Sequence, residues 1–176
     1  MVDYDKHVRR GHPIMFSLII VFAIIELAIS GWLVARFNKH HNYPSISVRD
    51  KTRFLLFTST WTILGCFFYM ILFLRSASAV SAGPGSALTS VGSHGIFMFM
   101  TWVFWLSGAA AITNALGGGV SCGGSNHVTY CGQLNALEAF AWIDWCFTTF
   151  ALAIIILRGV ASTRRGDGLR GQLVAA

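Results

Sequence analysis

The sequence predicts an all-α membrane protein, a bundle of four transmembrane helices with both termini on the cytoplasmic side. Three observations predict it. Residues 14–35, 54–74, 95–116 and 136–157 each form a run of 21 or 22 residues that is almost wholly apolar. The composition, 55% hydrophobic against 11% charged, lies far from that of a soluble domain. The Lys and Arg residues are shared unevenly between the two sides that four spans would create. At about 1.5 Å per residue each run covers roughly 32 Å, close to the hydrocarbon thickness of about 30 Å, and only a helix satisfies its own backbone there.

Residues 1–11 read as a cytoplasmic N-terminus, 12–158 as the membrane domain and 159–176 as a cytoplasmic tail. The first span exceeds the apolar core of a signal peptide, about 7 to 15 residues, and reads as a retained anchor with the mature chain starting near Met1. The connection that follows, 36–53, is polar and basic and contains His40, His41 and Pro44. Adjacent histidines diverge in most backbones and only Asp50 lies nearby, so no metal centre is expected. After the second span, the segment 76–93 is built from small residues around Gly83-Pro84-Gly85 and reads as a turn into the third helix. The last connection, 117–135, carries Gly117-Gly118-Gly119 and the pair Cys122 and Cys131.

Orientation follows from the thirteen Lys and Arg residues. Lys6, Arg9, Arg10, Arg75, Arg158, Arg164, Arg165 and Arg170 fall on the side of the termini, and Arg36, Lys39, Arg49, Lys51 and Arg53 on the other. The loop between spans three and four has none, so positive-inside places the termini in the cytoplasm. Because the net charge of +6 is split across a membrane, nucleic-acid binding has no support.

Cys122 and Cys131 are the cysteines outside the spans, in a glycine-rich loop on the oxidising side, and are expected to form a disulfide. The alternative, a redox-active pair, lacks the second closely spaced cysteine pair that thiol oxidoreductases use. Cys66 and Cys146 lie inside spans and read as small apolar fillers.

Within the membrane the informative residues are acids with no Lys or Arg beside them. Counting along the spans sets Glu26 and Asp144 nearly level, with Thr62 and Ser107 in the same layer. Each sits on a stripe of small or polar residues at helical spacing: Ala23, Glu26 and Ser30; Thr58, Thr62, Gly65 and Tyr69; Ser107, Ala111 and Ala115; Ala141, Asp144, Thr148 and Ala151. Glu138 projects elsewhere, near Trp142 and Trp145, as an interfacial acid. The polar layer has two readings: glue between helices, with the acids bonded to Thr62, Ser107 or backbone, or the proton or cation site of a small transporter. His94 reads as a capping or interfacial histidine.

The helix order, Arg53-Phe-Leu-Leu-Phe-Thr-Ser-Thr-Trp-Thr62, Phe104-Trp105-Leu106-Ser107-Gly108, and the Cys122/Cys131 loop leading into Ala139-Phe140-Ala141-Trp142 resemble fungal proteins of the MARVEL family over roughly residues 10–160. The resemblance implies an M-shaped four-helix domain with cytoplasmic termini. It also implies a role in membrane microdomains, vesicle traffic or membrane apposition, with sterol- or sphingolipid-rich patches as lipid partners. A cysteine pair in the last outer loop fits it.

The expected function is therefore non-enzymatic membrane organisation, without cofactor, at the plasma membrane or on secretory vesicles. Its partners are membrane lipids and other membrane proteins, or further copies of the chain through small-residue helix faces such as Ser107, Ala111 and Ala115. A small proton-coupled transporter using Glu26 and Asp144 is the alternative, and a thiol oxidoreductase the remote one.

Overall fold

The computed structural model describes residues 4–78, 91–123 and 128–164. The turn expected at Gly83-Pro84-Gly85 and the tail beyond Arg164 lie outside the described residues. Four helices follow in chain order: α1 (Tyr4–His40), α2 (Ile46–Ser78), α3 (Val91–Leu116) and α4 (Cys131–Arg164). All four are long and apolar enough to cross a membrane.

Every helix outruns its apolar stretch. The hydrophobic run marks where lipid must be, whereas a helix continues until a cap stops it. The connection expected over 36–53 is consequently only the segment 41–45. His41 closes α1 in the left-handed region (φ 52°) with its N–H on the Phe37 carbonyl. Ser45 caps α2 by accepting the Val48 N–H at 3.1 Å. At the end of α3, Gly117 takes φ +73°, and the N–H groups of Gly118 and Gly117 bond Thr113 O and Asn114 O, the paired bonds of a Schellman stop.

The buried faces alternate in steps of three and four. On α1 they are Phe16, Ile19, Ala23, Glu26, Ser30, Leu33 and Phe37; on α2 Val48, Thr52, Leu55, Ser59, Thr62 and Cys66. On α3 they are His94, Met98, Thr101, Trp105, Gly108 and Ile112; on α4 Leu134, Leu137, Ala141, Asp144, Thr148, Ala151 and Ile155. This is the seam of left-handed helix packing. α1 packs mainly against α2 and α4, and α3 against the same two, so the bundle closes into a ring. Phe57, Leu64, Phe67, Ile96, Phe99, Phe150, Ile156 and Leu157 point outward, the arrangement lipid demands.

Glycine sets the α2–α3 approach at two reciprocal places. A Cβ on Gly65 of α2 would collide with the Phe97 ring of α3, and one on Gly108 of α3 would lie 2.6 Å from Leu55 Cδ2 of α2. Each glycine is a hole for a large side chain of the facing helix.

Candidate functional site

Two apolar clusters fill the bundle. One gathers Leu33, Phe37, Leu55, Trp105, Ile112 and Leu137 toward the connection at 41–45 and the end of α3; the other gathers Phe16, Ile19, Cys66, Phe97, Met98 and Ile155 at the opposite end. Thr62, Thr101, Asp144 and Thr148 lie along the chain where the two meet, with Glu26 close by on α1, all fully buried.

The hydroxyls there turn inward on their own helices. Thr62 donates to Thr58 O (2.8 Å), Ser30 to Glu26 O (2.7 Å), Ser59 to Leu55 O (2.7 Å), Thr101 to Phe97 O (2.8 Å) and Thr148 to Trp145 O (3.0 Å). None reaches a carboxyl group. Both oxygens of Glu26 and both of Asp144 are buried without a hydrogen-bond partner, so the expected bonds from Thr62, Ser107 or backbone to the acids are not formed.

The two acids are buried on α1 and α4, helices that pack directly against each other. They are not level. Phe22, one turn before Glu26, stacks on Phe147 (5.1 Å) and approaches Phe140 (6.3 Å), which straddle Asp144 on α4. Asp144 thus faces Phe22, and Glu26 lies about one turn, roughly 6 Å, further along. Helical side chains lean toward their own N-terminus, and α1 and α4 run antiparallel, so the two carboxyls lean toward each other.

Ser107 does not join this layer. It is exposed, because the buried stripe of α3 runs through Trp105 and Gly108, and two residues at 100° apiece turn Ser107 away from Trp105. Of the small-residue ridge, Ser107 is exposed and Ala111 half-buried, while Ala115 packs against the edge of the core. Trp105 occupies the place expected for Ser107 and donates its indole N–H to Thr62 at 3.0 Å. His94, in the first turn of α3, is buried, with its ring 4.5 Å from Tyr69.

Four indole-to-threonine bonds, unforeseen from sequence, lace α3 to both neighbours. Trp61 of α2 donates to Thr101 of α3 (3.2 Å) and Trp105 of α3 to Thr62 of α2; Trp102 of α3 donates to Thr149 of α4 (2.8 Å) and Trp142 of α4 to Thr113 of α3 (3.0 Å). Thr113 then donates to Glu138 Oε1 at 2.8 Å. The interfacial acid therefore ends a Trp–Thr–Glu chain. Threonine suits this work because its proton serves an acceptor on one side while its oxygen still takes the indole N–H.

At the loop end, Cys122 and Cys131 form the expected disulfide, with Cα atoms 5.7 Å apart. Asn135 of α4 clamps the same loop, accepting the Val120 N–H at 2.9 Å and donating to Val120 O at 2.8 Å. Tyr130, beside the disulfide, holds φ +64° and aims its ring at Trp32 (5.1 Å) and Phe37 (6.1 Å), while its hydroxyl accepts from Asn42 at 3.0 Å. The cysteine loop is thus docked on the connection between α1 and α2. The basic residues of that end sit on helices: Arg36 lies over Trp32, Arg49 over Tyr43 and beside Asp50, and Arg53 donates to Asn38. Of the two free cysteines Cys66 is buried and Cys146 exposed.

Four apolar helices, a loop disulfide and no grouped set of three metal-ligating side chains among the described residues set the frame for comparison with known families. Residues 7–154 match the MARVEL membrane-associating domain. The chain belongs to the MARVEL family. No curated protein and no solved structure matches it. The acid pair, the four indole bonds and the disulfide all fall inside the MARVEL match, whereas α4 continues past it to Arg164. MARVEL domains associate with membranes and are in general non-enzymatic, in keeping with an integral, multi-pass membrane protein.

Proposed function

We propose that this MARVEL protein organises membranes, gathering particular lipids and membrane proteins around its outer surface at the plasma membrane or on secretory vesicles, with both termini in the cytoplasm. The observation that carries the reading is an aromatic wall on the lipid-facing side of α2 and α3. Phe104 packs against Phe57 (5.9 Å), Trp61 (5.8 Å) and Phe54 (6.2 Å), and Trp61 against Phe97 (6.0 Å). Phe57 and Trp61 are 52% and 38% exposed, and the Trp61 bond to Thr101 fixes the wall in place. A rigid aromatic face loses little freedom when a stiff neighbour settles on it, which favours sterols, ordered sphingolipid chains or a second protein over disordered chains.

Fluorescently labelled full-length protein in giant vesicles with coexisting ordered and disordered phases tests this. Enrichment in sterol- and sphingolipid-rich regions, weakened by Phe57→Ala with Trp61→Ala, is the expected result. Distribution indifferent to lipid composition and to both substitutions overturns it. In the same liposomes, flux driven by a pH gradient and abolished by Glu26→Gln would establish the transporter reading instead, and thiol oxidation lost in Cys122→Ser the oxidoreductase one.

A further inference from the structure

The α1–α4 seam differs from the contacts of α3. Indole bonds tie α3 to α2 and α4, yet among the described residues no side-chain hydrogen bond joins α1 to another helix between residues 17 and 37. Into that unlaced seam project Glu26 and Asp144, each fully buried, with four oxygens lacking partners.

Their surroundings are rich in acceptors and poor in protons. The hydroxyl protons of Ser30, Thr58, Ser59, Thr62 and Thr148 are committed to carbonyls of their own helices, and the Trp105 indole proton to Thr62. An ionised carboxylate placed there faces lone pairs, the apolar rings of Phe22 and Phe147, and a second carboxylate, which strongly disfavours it. A neutral carboxyl supplies the missing proton itself and needs no additional space. A metal ion or ammonium group would need both room and coordinating atoms from several sides.

We propose that Glu26 and Asp144 form a buried proton-binding site that latches α1 to α4. With protons bound, the carboxyls carry no charge, the seam stays dry and the ring of helices stays closed. When protons leave to water, the two negative charges repel, draw water between α1 and α4, and free α1 from the three helices that the indole bonds hold together.

Few other titratable or charged groups face the pair. Cys66 comes from α2, buried beside Phe16, Ile19 and Ile155. Tyr69 of α2 and His94 of α3 pack against each other with tilted rings toward the end of the bundle that holds Arg158. Glu138 on α4 is engaged with Thr113. On α1 the next charged groups are Arg36 and Lys39, at the other end.

The latch is independent of the membrane-organising role, and lipid partitioning can fail without touching it. Two measurements on the full chain in phosphatidylcholine nanodiscs test it. Infrared difference spectra should contain a protonated carboxyl band at neutral pH that fades as pH rises, partly lost in Glu26→Gln and in Asp144→Asn and absent in the double variant. Spin labels at Ala28→Cys and Phe150→Cys, with Cys146→Ser, should report a second, longer α1–α4 distance that grows with alkaline pH. In the double amide variant that distance distribution should not move with pH, while His94, Tyr69 and Cys66 remain. Acids already ionised at neutral pH with the seam closed overturn the proposal. So does a protonated pair whose loss leaves the distance unchanged, as does sodium or potassium displacing the carboxyl band at constant pH.

Discussion

Trp105 of α3 and Thr62 of α2 meet fully buried, the indole N–H 3.0 Å from the threonine oxygen, while Thr62 passes its own proton to Thr58 O. Lipid is as apolar as the side chains around this bond, so burial alone does not select the α2–α3 pairing, and a directional bond does. A double-mutant cycle of Trp105→Phe and Thr62→Val should give a coupling energy of about 0.6 to 1.7 kcal/mol in favour of the native pair, measured by unfolding in mixed micelles. Additive single effects would assign the pair to simple packing.

The same physics explains what was legible in the sequence. Hydropathy located all four spans, because the bilayer demands a long apolar run wherever a helix crosses it. It could not set the rotation of α3, where Phe, Met, Trp and small residues occur all round the helix. The Ser107, Ala111 and Ala115 ridge looked like a buried stripe, yet the core face runs through Met98, Thr101, Trp105, Gly108 and Ile112. On α1 and α4 the lone acids gave the phase, since lipid rejects a carboxyl group, and Glu26 and Asp144 do face inward. Cap geometry, carried by single residues such as Ser45 and His41, decided loop lengths that composition overstated.

Gly65 should tolerate no side chain while Phe97 is present. Gly65→Ala forces the Phe97 ring out of its place and is expected to cost about 1 to 3 kcal/mol, the usual range for overpacking. Combining it with Phe97→Ala should cost less than the sum of the two, because the cavity left by one accepts the methyl of the other. Strict additivity would mean that the helices separate to make room.

Alkylation without reductant should modify neither Cys122 nor Cys131, and intact mass should show both blocked. Cys122→Ser is expected to raise amide exchange in the loop after α3 far more than in the bundle. Asn135→Ala should add to that loosening, since Asn135 holds Val120 from both sides. A loop that exchanges no faster in the double variant would show that the Tyr130 contacts with Trp32, Phe37 and Asn42 suffice to hold it.

The final prediction concerns which side of the membrane this docked loop occupies. Five basic residues, Arg36, Lys39, Arg49, Lys51 and Arg53, lie at its end of the bundle, yet three of them are already engaged: Arg36 on Trp32, Arg49 on Tyr43 and Asp50, Arg53 on Asn38. Charges held in such contacts retain their positive-inside weight, so the preference for cytoplasmic termini rests on the eight on the other side together with the disulfide's need for an oxidising compartment. An epitope placed between Gly119 and Val120 should react with an impermeant label on intact cells, and one placed after Arg165 only after permeabilisation. The reverse pattern would put Cys122 and Cys131 in the reducing cytosol, where the same alkylation assay should then find two free thiols. The two experiments must therefore agree, and disagreement between them would mean that the chain inserts in both orientations.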